Sequence, residues 1–261
     1  MIYQKLKRIA TLFKYNNPFY VLFTYLLGFT KLKQIARYNI AGIILKVRQR
    51  STDLEAAISC IEEGEFNSLS LAYEKNKSGI IIDAGAYIGT ASIAFSKMYP
   101  NATILALEPS TENYKLLCSN TSAYPNIKPI NLALTAEDNT NPIKLMNGGR
   151  GNWSFTLVQP KDQEYKDIEY VETVTLDKLI EEYQGIRLML LKLDIEGAED
   201  ELFKQPMWMK YTNIICVELH ENNAPGCTKN FYNANKDRYI YTQGGEKFFS
   251  IGQSYFEDIR A

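Results

Sequence analysis

The sequence predicts an α/β protein built on a mostly parallel sheet. From residue 79 onward, short runs that suit buried strands alternate with longer stretches of helical character, the pattern of a parallel sheet with crossover helices. With 261 residues, 46% of them hydrophobic and 23% charged, the chain can bury a large core as a soluble globular protein. The four cysteines form no CxxC pair and no metal-ligand spacing with the single histidine, so we expect reduced thiols in a cytosolic protein.

The alternation begins with a strand over 79–84 (GIIIDA), which is followed by a helix that Pro100 ends. The third predicted strand, 126–134, is interrupted early by Pro129. The predicted order is strand 79–84, helix 90–99, strand 103–108, helix 110–124 and strand 126–134. These five elements define two successive parallel crossovers.

Residues 137–175 break this rhythm, and we expect a β-rich insertion that carries a mobile glycine loop at 147–152 (NGGRGN). The regular pattern then returns with a helix over 175–183. Two further strands are predicted: 187–199, which ends in acidic residues, and 213–220. RYIYT and KFFSI around QGGE predict a terminal hairpin.

The N-terminal part differs in charge from the rest. Residues 1–50 contain ten Lys or Arg and no acid; removing these ten from the 29 basic residues leaves 19 against 30 acids, a net charge of −11 for residues 51–261. We therefore predict a basic helical segment over 1–70 and a catalytic domain over 71–261. The apolar run 18–29 is shorter than the roughly 20 residues that span a bilayer, and no signal-peptide cleavage site follows it.

Two interpretations of this basic segment remain open. It docks on the main domain with its basic side in water, or it lies in the plane of a membrane surface and meets anionic headgroups. We therefore expect a cytoplasmic protein, peripheral at the membrane in the second case. Nucleic acid is not an expected partner, because the segment is rich in long aliphatic side chains and the main domain is acidic.

The stretch IIIDAGAYIGT (80–90) is a strand, a glycine turn and the start of a helix, an arrangement that lets a ligand approach the backbone. It lacks the third glycine of the G-x-G-x-x-G dinucleotide fingerprint. Asp83 would repel a pyrophosphate but attract a cation such as the ammonium of S-adenosylmethionine. Glu108 ends the next strand, where an acid can accept both ribose hydroxyls in S-adenosylmethionine and NAD enzymes alike. S-adenosylmethionine is therefore the favoured cofactor, and an NAD-dependent oxidoreductase is the alternative.

The stretches IIIDAGAYIGTASIAFSK, ALEPSTENYKLLCSN, INLAL, VTLDKLI, LLKLDIEGAEDELF and VELH follow one another over roughly residues 79–220. In this order they resemble the FkbM family of S-adenosylmethionine-dependent methyltransferases. The resemblance implies a class I methyltransferase, Rossmann-like fold with seven strands, the last antiparallel. It also implies O-methylation, often of sugars in exported glycans or of natural products.

The resemblance further implies positions for the cofactor. Residues Asp83, Gly85, Ala86, Tyr87 and Gly89 would line its methionine end, Glu108 and Pro109 its ribose, and Asn131 and Ala133 its adenine. Asp194 would stand where the methyl group is transferred. Residues 1–50 and the terminal hairpin lie outside the strong match.

Transfer to a sugar hydroxyl requires an aligned acceptor and removal of its proton. Four groups lie at predicted strand ends: Asp194, Glu196, Glu218 and His220. We predict that His220 is the general base, that Asp194 positions the reacting centre and that Glu218 orients the imidazole. Glu196 is a substrate-binding candidate, and it or Glu199 could instead cap the following helix.

The stretch NGGRGNW (147–153) is expected to form a mobile lid over the acceptor, in which Arg150 and Trp153 contact the hydroxyls and the apolar face of a sugar. The alternative is an ordinary hairpin tip. A hard divalent metal on Asp194, Glu218 and His220 fits the predicted topology, but three ligands without a spacing motif do not predict one. The expected activity is O-methylation of a sugar hydroxyl in a glycan or lipid-linked saccharide. A non-catalytic membrane-surface adaptor that kept the fold is the alternative from another functional class.

Overall fold

The computed structural model describes residues 2–27, 35–147, 151–152, 154–159, 165–181, 183, 188–243, 247–253 and 255. Its helices are α1 (Ile2–Tyr15), α2 (Pro18–Leu27), α3 (Asp53–Ala57), α4 (Thr90–Met98), α5 (Thr111–Thr121), α6 (Leu176–Glu181), α7 (Glu199–Lys204) and α8 (Cys227–Ala234). A π-helical turn (Ile58–Glu62) and two 3₁₀ turns (Asn67–Leu71 and Pro206–Tyr211) complete the helical elements of these residues. No helix in this part of the chain has the length and apolar character needed to cross a bilayer.

The strands are β1 (Ile35–Ile40), β2 (Ile43–Arg48), β3 (Gly79–Ala84), β4 (Ala102–Leu107), β5 (Ile127–Ile130), β6 (Ala133–Leu134), β7 (Ile143–Asn147), β8 (Phe155–Thr156), β9 (Lys166–Val171), β10 (Thr173–Val174), β11 (Leu188–Leu193), β12 (Thr212–Glu218), β13 (Arg238–Gln243) and β14 (Lys247–Gly252). Seven of them form the central sheet in the order β13-β14-β12-β11-β3-β4-β5. Strands β3, β4, β5, β11 and β12 run parallel, whereas β14 is antiparallel to both of its neighbours. The predicted fold class is therefore confirmed: a seven-stranded, mostly parallel sheet whose last strand is antiparallel.

The central strands are buried on both faces, as in parallel sheets covered by helices. Every residue of β3 and of β11 is buried. Successive side chains point to opposite faces, so Ile81 and Leu190 join a core with α4 and α5, while Ile82 and Leu191 join a core with α6, α7 and α8. Both layers hold the carboxyl ends of the parallel strands at one edge of the sheet.

The third predicted strand, 126–134, is divided in two by the structure. β5 ends at Ile130 and pairs with β4, whereas β6 starts at Ala133 and pairs with β10 of the insertion. Asn131 lies in the break, and its side-chain amide donates hydrogen bonds to the carbonyls of Glu108 and Pro109, both 2.9 Å. The break between β5 and β6 therefore places the Asn131 amide where it holds the loop that follows β4.

The predicted β-rich insertion is confirmed by an antiparallel sheet in the order β8-β7-β9. The terminal hairpin is also confirmed, because β13 and β14 pair antiparallel along their whole lengths. Residues 148–150 and 153, which include Arg150 and Trp153, lie outside the described residues. Their predicted sugar contacts stay predictions.

The N-terminal segment, predicted to be helical over 1–70, contains the helices α1, α2 and α3, but residues 35–48 are not helical. These residues form an antiparallel hairpin, β1 with β2. The physical reason is a period of two: alternate residues from Ala36 to Val47 are buried, and Ala41 and Gly42 make the turn with φ of 47° and 87°.

The hairpin also shares a core with the main domain. Leu45 and Val47 belong to the same hydrophobic cluster as Phe95 of α4 and Leu117 of α5. The division into 1–70 and 71–261 stays a prediction, but buried side chains from both sides of residue 70 pack together.

Candidate active site

A cavity of ≈ 470 Å³ opens at the carboxyl ends of β3, β4, β11 and β12. This size lies in the range of small-molecule sites, and the position is the one expected of ligands in open parallel sheets. Of the predicted site residues, those that line it are Gly85, Ala86, Tyr87, Glu108, Pro109, Ala133, Asp194, Glu196 and Glu218. The predicted residues Asp83, Gly89, Asn131 and His220 do not border it.

The turn after β3 brings the backbone close to the end of β11. Gly85 has a φ of +77°, and a Cβ at this position would lie 1.8 Å from the carbonyl oxygen of Asp194. Only glycine fits such an approach. Tyr87, two residues on, also has a positive φ, 52°, and its backbone N–H donates to Glu108 Oε2 at 2.8 Å. The turn is therefore fixed by a contact with the strand end beside it.

Glu108 lies at the end of β4 and is 5% exposed. Its carboxylate also accepts hydrogen bonds from the Ser110 N–H at 3.0 Å and the Asn113 amide at 3.1 Å. Burial raises the pKa of Glu108 to about 7, although these three donors oppose the shift. A carboxylate offers about four acceptor positions, so Glu108 is oriented by its neighbours and keeps accepting capacity toward the cavity.

Asp83 is not placed as predicted, because Lys192 stands between it and the cavity. The Asp83 carboxylate is fully buried, accepts from Ser92 Oγ at 2.6 Å and lies 3.1 Å from Lys192 Nζ. Burial lowers the pKa of Lys192, but the charges of Asp83 and Asp194 outweigh this and raise it. The predicted direct contact between Asp83 and a cofactor ammonium is therefore not supported, since a lysine already meets that charge.

Lys192 was missed by the sequence analysis. Its ammonium also lies 3.6 Å from Asp194 Oδ2 and 3.1 Å from the carbonyl of Gly85, so it joins the ends of β3 and β11. The available signal was a lysine within the otherwise apolar run LMLLKL. Such a lysine is rarely buried without partners.

Gly89 and Asn131 lie outside the cavity lining and stabilise the elements that form it. Gly89 begins α4 with a φ of +91°, and an added Cβ would lie 2.8 Å from the Leu117 side chain. Asn131 holds the loop that carries Glu108, through the two carbonyl contacts described above. Neither residue borders the cavity, so any effect on an adenine ring is indirect.

The opposite end of the cavity is a cluster of carboxylates around His220, the acidic cluster: Asp194, Glu196, Glu199 and Glu218. Its oxygens lie 3.8, 3.5, 3.1 and 3.9 Å, respectively, from an imidazole nitrogen of His220. The prediction that these strand-end groups share one site is thus matched by the geometry. Glu199, which sequence reasoning treated mainly as a helix cap, accepts from the N–H groups of Ile195 and Gly197 and also contacts the imidazole.

The predicted general-base role of His220 does not agree with this environment. Burial lowers the pKa of His220, but Glu196, Glu199 and Asp194 outweigh it and raise the pKa to about 11. An imidazole that already holds a proton cannot accept another. His220 also stands behind the cavity wall, whereas Asp194 and Glu218 line it, so the two carboxylates are better placed to meet an acceptor.

Two further walls of the cavity come from outside the central sheet. One is formed by residues 52–66, including Glu55, Cys60 and Phe66, and the other by Asn152, Phe155 and Leu157 of the insertion. Sequence reasoning assigned neither wall, except that it placed the insertion loop near the acceptor. No local motif marks residues 52–66, because their place depends on packing between distant segments.

A buried ion pair fixes the first of these walls to the glycine turn. Arg48 donates to Asp53 at 3.0 and 2.8 Å, and Asp53 also accepts from the Tyr87 hydroxyl. Asp53 is wholly buried and Arg48 is 9% exposed. The N-terminal hairpin is therefore connected to the candidate active site by charge-assisted hydrogen bonds.

Comparison with known families identifies the class of this chain. Residues 83–260 match the model of the methyltransferase FkbM domain. Together with the strand order, this match shows that the chain belongs to the FkbM methyltransferase family and has a class I, Rossmann-like methyltransferase fold. The resemblance inferred from the sequence motifs is confirmed.

Among curated proteins, the chain is similar to methyltransferase sdnD of Sordaria araneosa, with 30% identity over 54% of this chain and 66% of that protein. It is also similar to methyltransferase 1 of Beauveria bassiana, with 26% identity over 57% of this chain and 67% of that protein. The match thus spans about two thirds of the length of these relatives.

Two solved structures have a more distant similarity to this chain. TYW2 of M. jannaschii in complex with AdoMet has 10% identity and a TM-score of 0.42, covering 85% of this chain and 87% of that one. Methyltransferase FkbM from Methylobacillus flagellatus KT has 13% identity and a TM-score of 0.41, covering 76% and 53%. The fold assignment rests on the strand order and the family match.

Proposed function

We propose that this protein uses S-adenosylmethionine to methylate a hydroxyl group of a sugar in a glycan or lipid-linked saccharide. The observation that carries the proposal is the cavity at the strand ends. It has an oriented acid, Glu108, at one end and the cavity-facing carboxylates Asp194 and Glu218 at the other. The first end suits the ribose of an adenosine ligand, and the second suits a hydroxyl that must lose a proton.

The charge of the cavity favours S-adenosylmethionine over NAD. Among the described residues, six carboxyl side chains and two lysines line it: Glu55, Glu65, Glu108, Asp194, Glu196, Glu218, Lys192 and Lys247. This excess of acid repels a pyrophosphate but attracts a ligand that carries a sulfonium and an ammonium. The family match supports the same choice, so the NAD-dependent oxidoreductase is the weaker alternative.

The residues divide the work of an in-line methyl transfer. The turn at Gly85 and Tyr87 lets the cofactor approach the backbone, and Glu108 accepts hydrogen bonds from its ribose. S-adenosylmethionine, when bound, supplies the methyl group. Asp194 and Glu218 border the remaining space, where they can orient the acceptor oxygen and receive its proton.

The cavity wall that the insertion forms supports a sugar as the acceptor. Phe155 and Leu157 present apolar surface beside Asn152, whose backbone carbonyl is held by the Asn113 amide at 3.0 Å. Sugars combine an apolar ring face with hydroxyls, so they fit a cavity that offers both apolar surface of this kind and carboxylates.

Calorimetry on Glu108→Gln tests the cofactor site. S-adenosylhomocysteine should bind wild-type protein and bind the variant roughly 10–150-fold more weakly, since a hydrogen bond to a charged group contributes about 1.5–3 kcal/mol. Glu201→Gln is the matched control, because Glu201 pairs with Lys204 on the surface. Tight binding of NADH with no heat from S-adenosylhomocysteine would contradict the proposal. No affinity for either would favour the non-catalytic adaptor.

The acceptor is tested by incubating the protein with labelled S-adenosylmethionine and a panel of saccharides, lipid-linked saccharides, amines and phenols. Mass spectrometry and NMR then locate the added methyl group. An O-methyl group on a sugar supports the proposal. Transfer confined to nitrogen, carbon or a phenol would replace it with another acceptor class.

We also propose that the N-terminal segment attaches the protein to an anionic membrane surface. The exposed side chains of α2 follow helical spacing: Phe19 is 82% exposed, Leu22 53%, Phe23 59% and Leu26 58%. The excess of ten basic over zero acidic residues in 1–50 complements anionic headgroups. A cytoplasmic, peripheral location would follow.

Vesicle flotation tests this attachment. The protein should float with anionic vesicles at low salt, less at high salt, and much less after Phe19→Ser with Phe23→Ser. Met207→Ser with Tyr170→Ser is the control, because both of those side chains are 70% exposed and lie elsewhere in the chain. Failure of the wild-type protein to float, or equal flotation of both variants, would leave α2 as a docked helix.

A further inference from the structure

The acidic cluster contains a geometry that the proposed methyl transfer does not explain. One nitrogen and two carboxylate oxygens, from His220, Glu196 and Asp194, lie within 4.8 Å of one another. Two ligands of one ion at about 2.1 Å each lie no more than about 4.2 Å apart. The His220 Nε2 distances of 3.5 Å to Glu196 Oε1 and 3.8 Å to Asp194 Oδ1 meet this limit.

The imidazole is held in one orientation. His220 Nδ1 lies 3.1 Å from Glu199 Oε1, and Glu199 is wholly buried. The Glu199 oxygens also accept from two backbone N–H groups, at 2.7 and 2.8 Å, so this carboxylate acts as an acceptor toward Nδ1–H. This leaves Nε2 directed at Glu196 and Asp194. A carboxylate that orients a histidine in this way is the usual support behind a metal ligand.

Two buried atoms at the centre have no hydrogen-bond partner among the described residues: Glu196 Oε1 and His220 Nε2. Glu196 is only 3% exposed, so water does not readily compensate. An unsatisfied buried carboxylate oxygen is costly. The two atoms lie 3.5 Å from each other, a separation that one bound ion would bridge.

Glu196 is held in this position against its backbone preference. Its φ is 54°, in the region that non-glycine residues avoid. Its carbonyl accepts from Thr156 Oγ1 at 2.6 Å and from the Asn223 amide at 3.1 Å, and the same amide contacts Glu196 Oε2 at 3.1 Å. These contacts occupy Oε2 and leave Oε1 to face His220. Unusual backbone maintained by its surroundings is typical of functional sites.

The lysines beside the cluster leave its inner oxygens free. Lys192 approaches Asp194 through Oδ2, and Lys247 approaches Glu218 through Oε2. The opposite oxygens, Asp194 Oδ1 and Glu218 Oε1, lie on the His220 side. Negative charge therefore converges where a cation would stand.

We propose that Asp194, Glu196 and His220 form a binding site for a divalent cation at the acceptor end of the cavity. Two carboxylate oxygens and one imidazole nitrogen suit Mn²⁺, which accepts both ligand types, and Mg²⁺. If the proposed methyl transfer is correct, an ion here would bind the acceptor hydroxyl and lower the pKa of that hydroxyl. The ion would take the place of the proton on His220 Nε2, so His220 would be a ligand instead of a base.

Titration of the full-length protein with Mn²⁺, without S-adenosylmethionine or acceptor, tests the site. Calorimetry and EPR of free Mn²⁺ should show one bound ion in the wild type, and at least about tenfold weaker binding in Glu196→Gln and His220→Gln. Glu201→Gln should bind as the wild type does. Pulsed EPR of the wild-type complex should show coupling of the manganese to one ¹⁴N nucleus, which also answers the question if a variant fails to fold.

Absence of a bound ion in the wild type would overturn the proposal and leave a protonated imidazole as the cation of the cluster. Bound Mn²⁺ without ¹⁴N coupling, or with unchanged affinity in both folded variants, would also overturn it. Because the titration involves neither cofactor nor methyl transfer, its failure is distinguishable from failure of the proposed function, which calorimetry with S-adenosylhomocysteine measures separately.

Discussion

At the Glu108 end of the cavity, three donors orient one carboxylate and a glycine turn fits against a carbonyl. At the His220 end, four carboxylates surround one imidazole, and two buried atoms lack hydrogen-bond partners among the described residues. The first end has the character of a preformed ligand site, in which backbone geometry does most of the positioning. The second has an excess of negative charge that a cation must balance. The two ends therefore differ in what they require: the Glu108 end is already ordered by hydrogen bonds, whereas the charge of the His220 end is balanced only by a cation.

The largest effect that we predict concerns the backbone of the Glu108 end. Gly85→Ala places a Cβ 1.8 Å from a carbonyl oxygen at a φ of +77°, so we expect a loss of more than about 4 kcal/mol in the free energy of unfolding. Urea denaturation measures it. Gly42→Ala is the matched control, because its φ is +87° and nothing lies within 4 Å of the added Cβ. The Gly42→Ala variant should lose only about 1–2 kcal/mol. Equal losses in the two variants would show that the Asp194 carbonyl does not restrict the side chain at position 85.

The next effect concerns the lysine that joins the two ends. Lys192→Met leaves Asp83 as an unpaired buried charge, so we expect a loss of about 3–5 kcal/mol in the free energy of unfolding. The double variant Asp83→Asn with Lys192→Met should recover at least about 1 kcal/mol of that loss in a double-mutant cycle. Lys178→Met, which removes an exposed ion pair with Asp138, should change stability by no more than about 0.5 kcal/mol. Additive single effects of Asp83 and Lys192 would contradict the pairing.

These two predictions also show what the sequence could and could not provide. Gly85 and Glu108 were found because a glycine turn and an acid at adjacent parallel strand ends are local patterns that the fold brings together. Lys192 carried only a weak signal, and the wall at residues 52–66 carried none, because its position depends on long-range packing. His220 was placed among the strand-end acids, but the raised pKa of its imidazole could not be read from the sequence, because Glu196, Glu199 and Asp194 surround the ring only in the folded chain.

The smallest predicted effect is a pH dependence confined to the Glu108 end. Burial raises the pKa of Glu108 to about 7, and ribose hydroxyls donate to its ionised form. Binding of 5′-methylthioadenosine should therefore be full above this pKa and weaken as the pH falls through it, by at most about tenfold per pH unit. This ligand lacks the amino and carboxyl groups that would titrate themselves. Calorimetry from pH 5 to 9 measures the dependence of affinity on pH, and Glu108→Gln should remove this dependence. An unchanged pH dependence in that variant would show that a group other than Glu108 titrates.

The most direct test of the central claim is a crystal structure of the protein with S-adenosylhomocysteine. We predict the ligand in the cavity, with its ribose hydroxyls within hydrogen-bond distance of Glu108 and its sulfur toward Asp194. A ligand bound elsewhere, or a ribose that does not contact Glu108, would contradict the account.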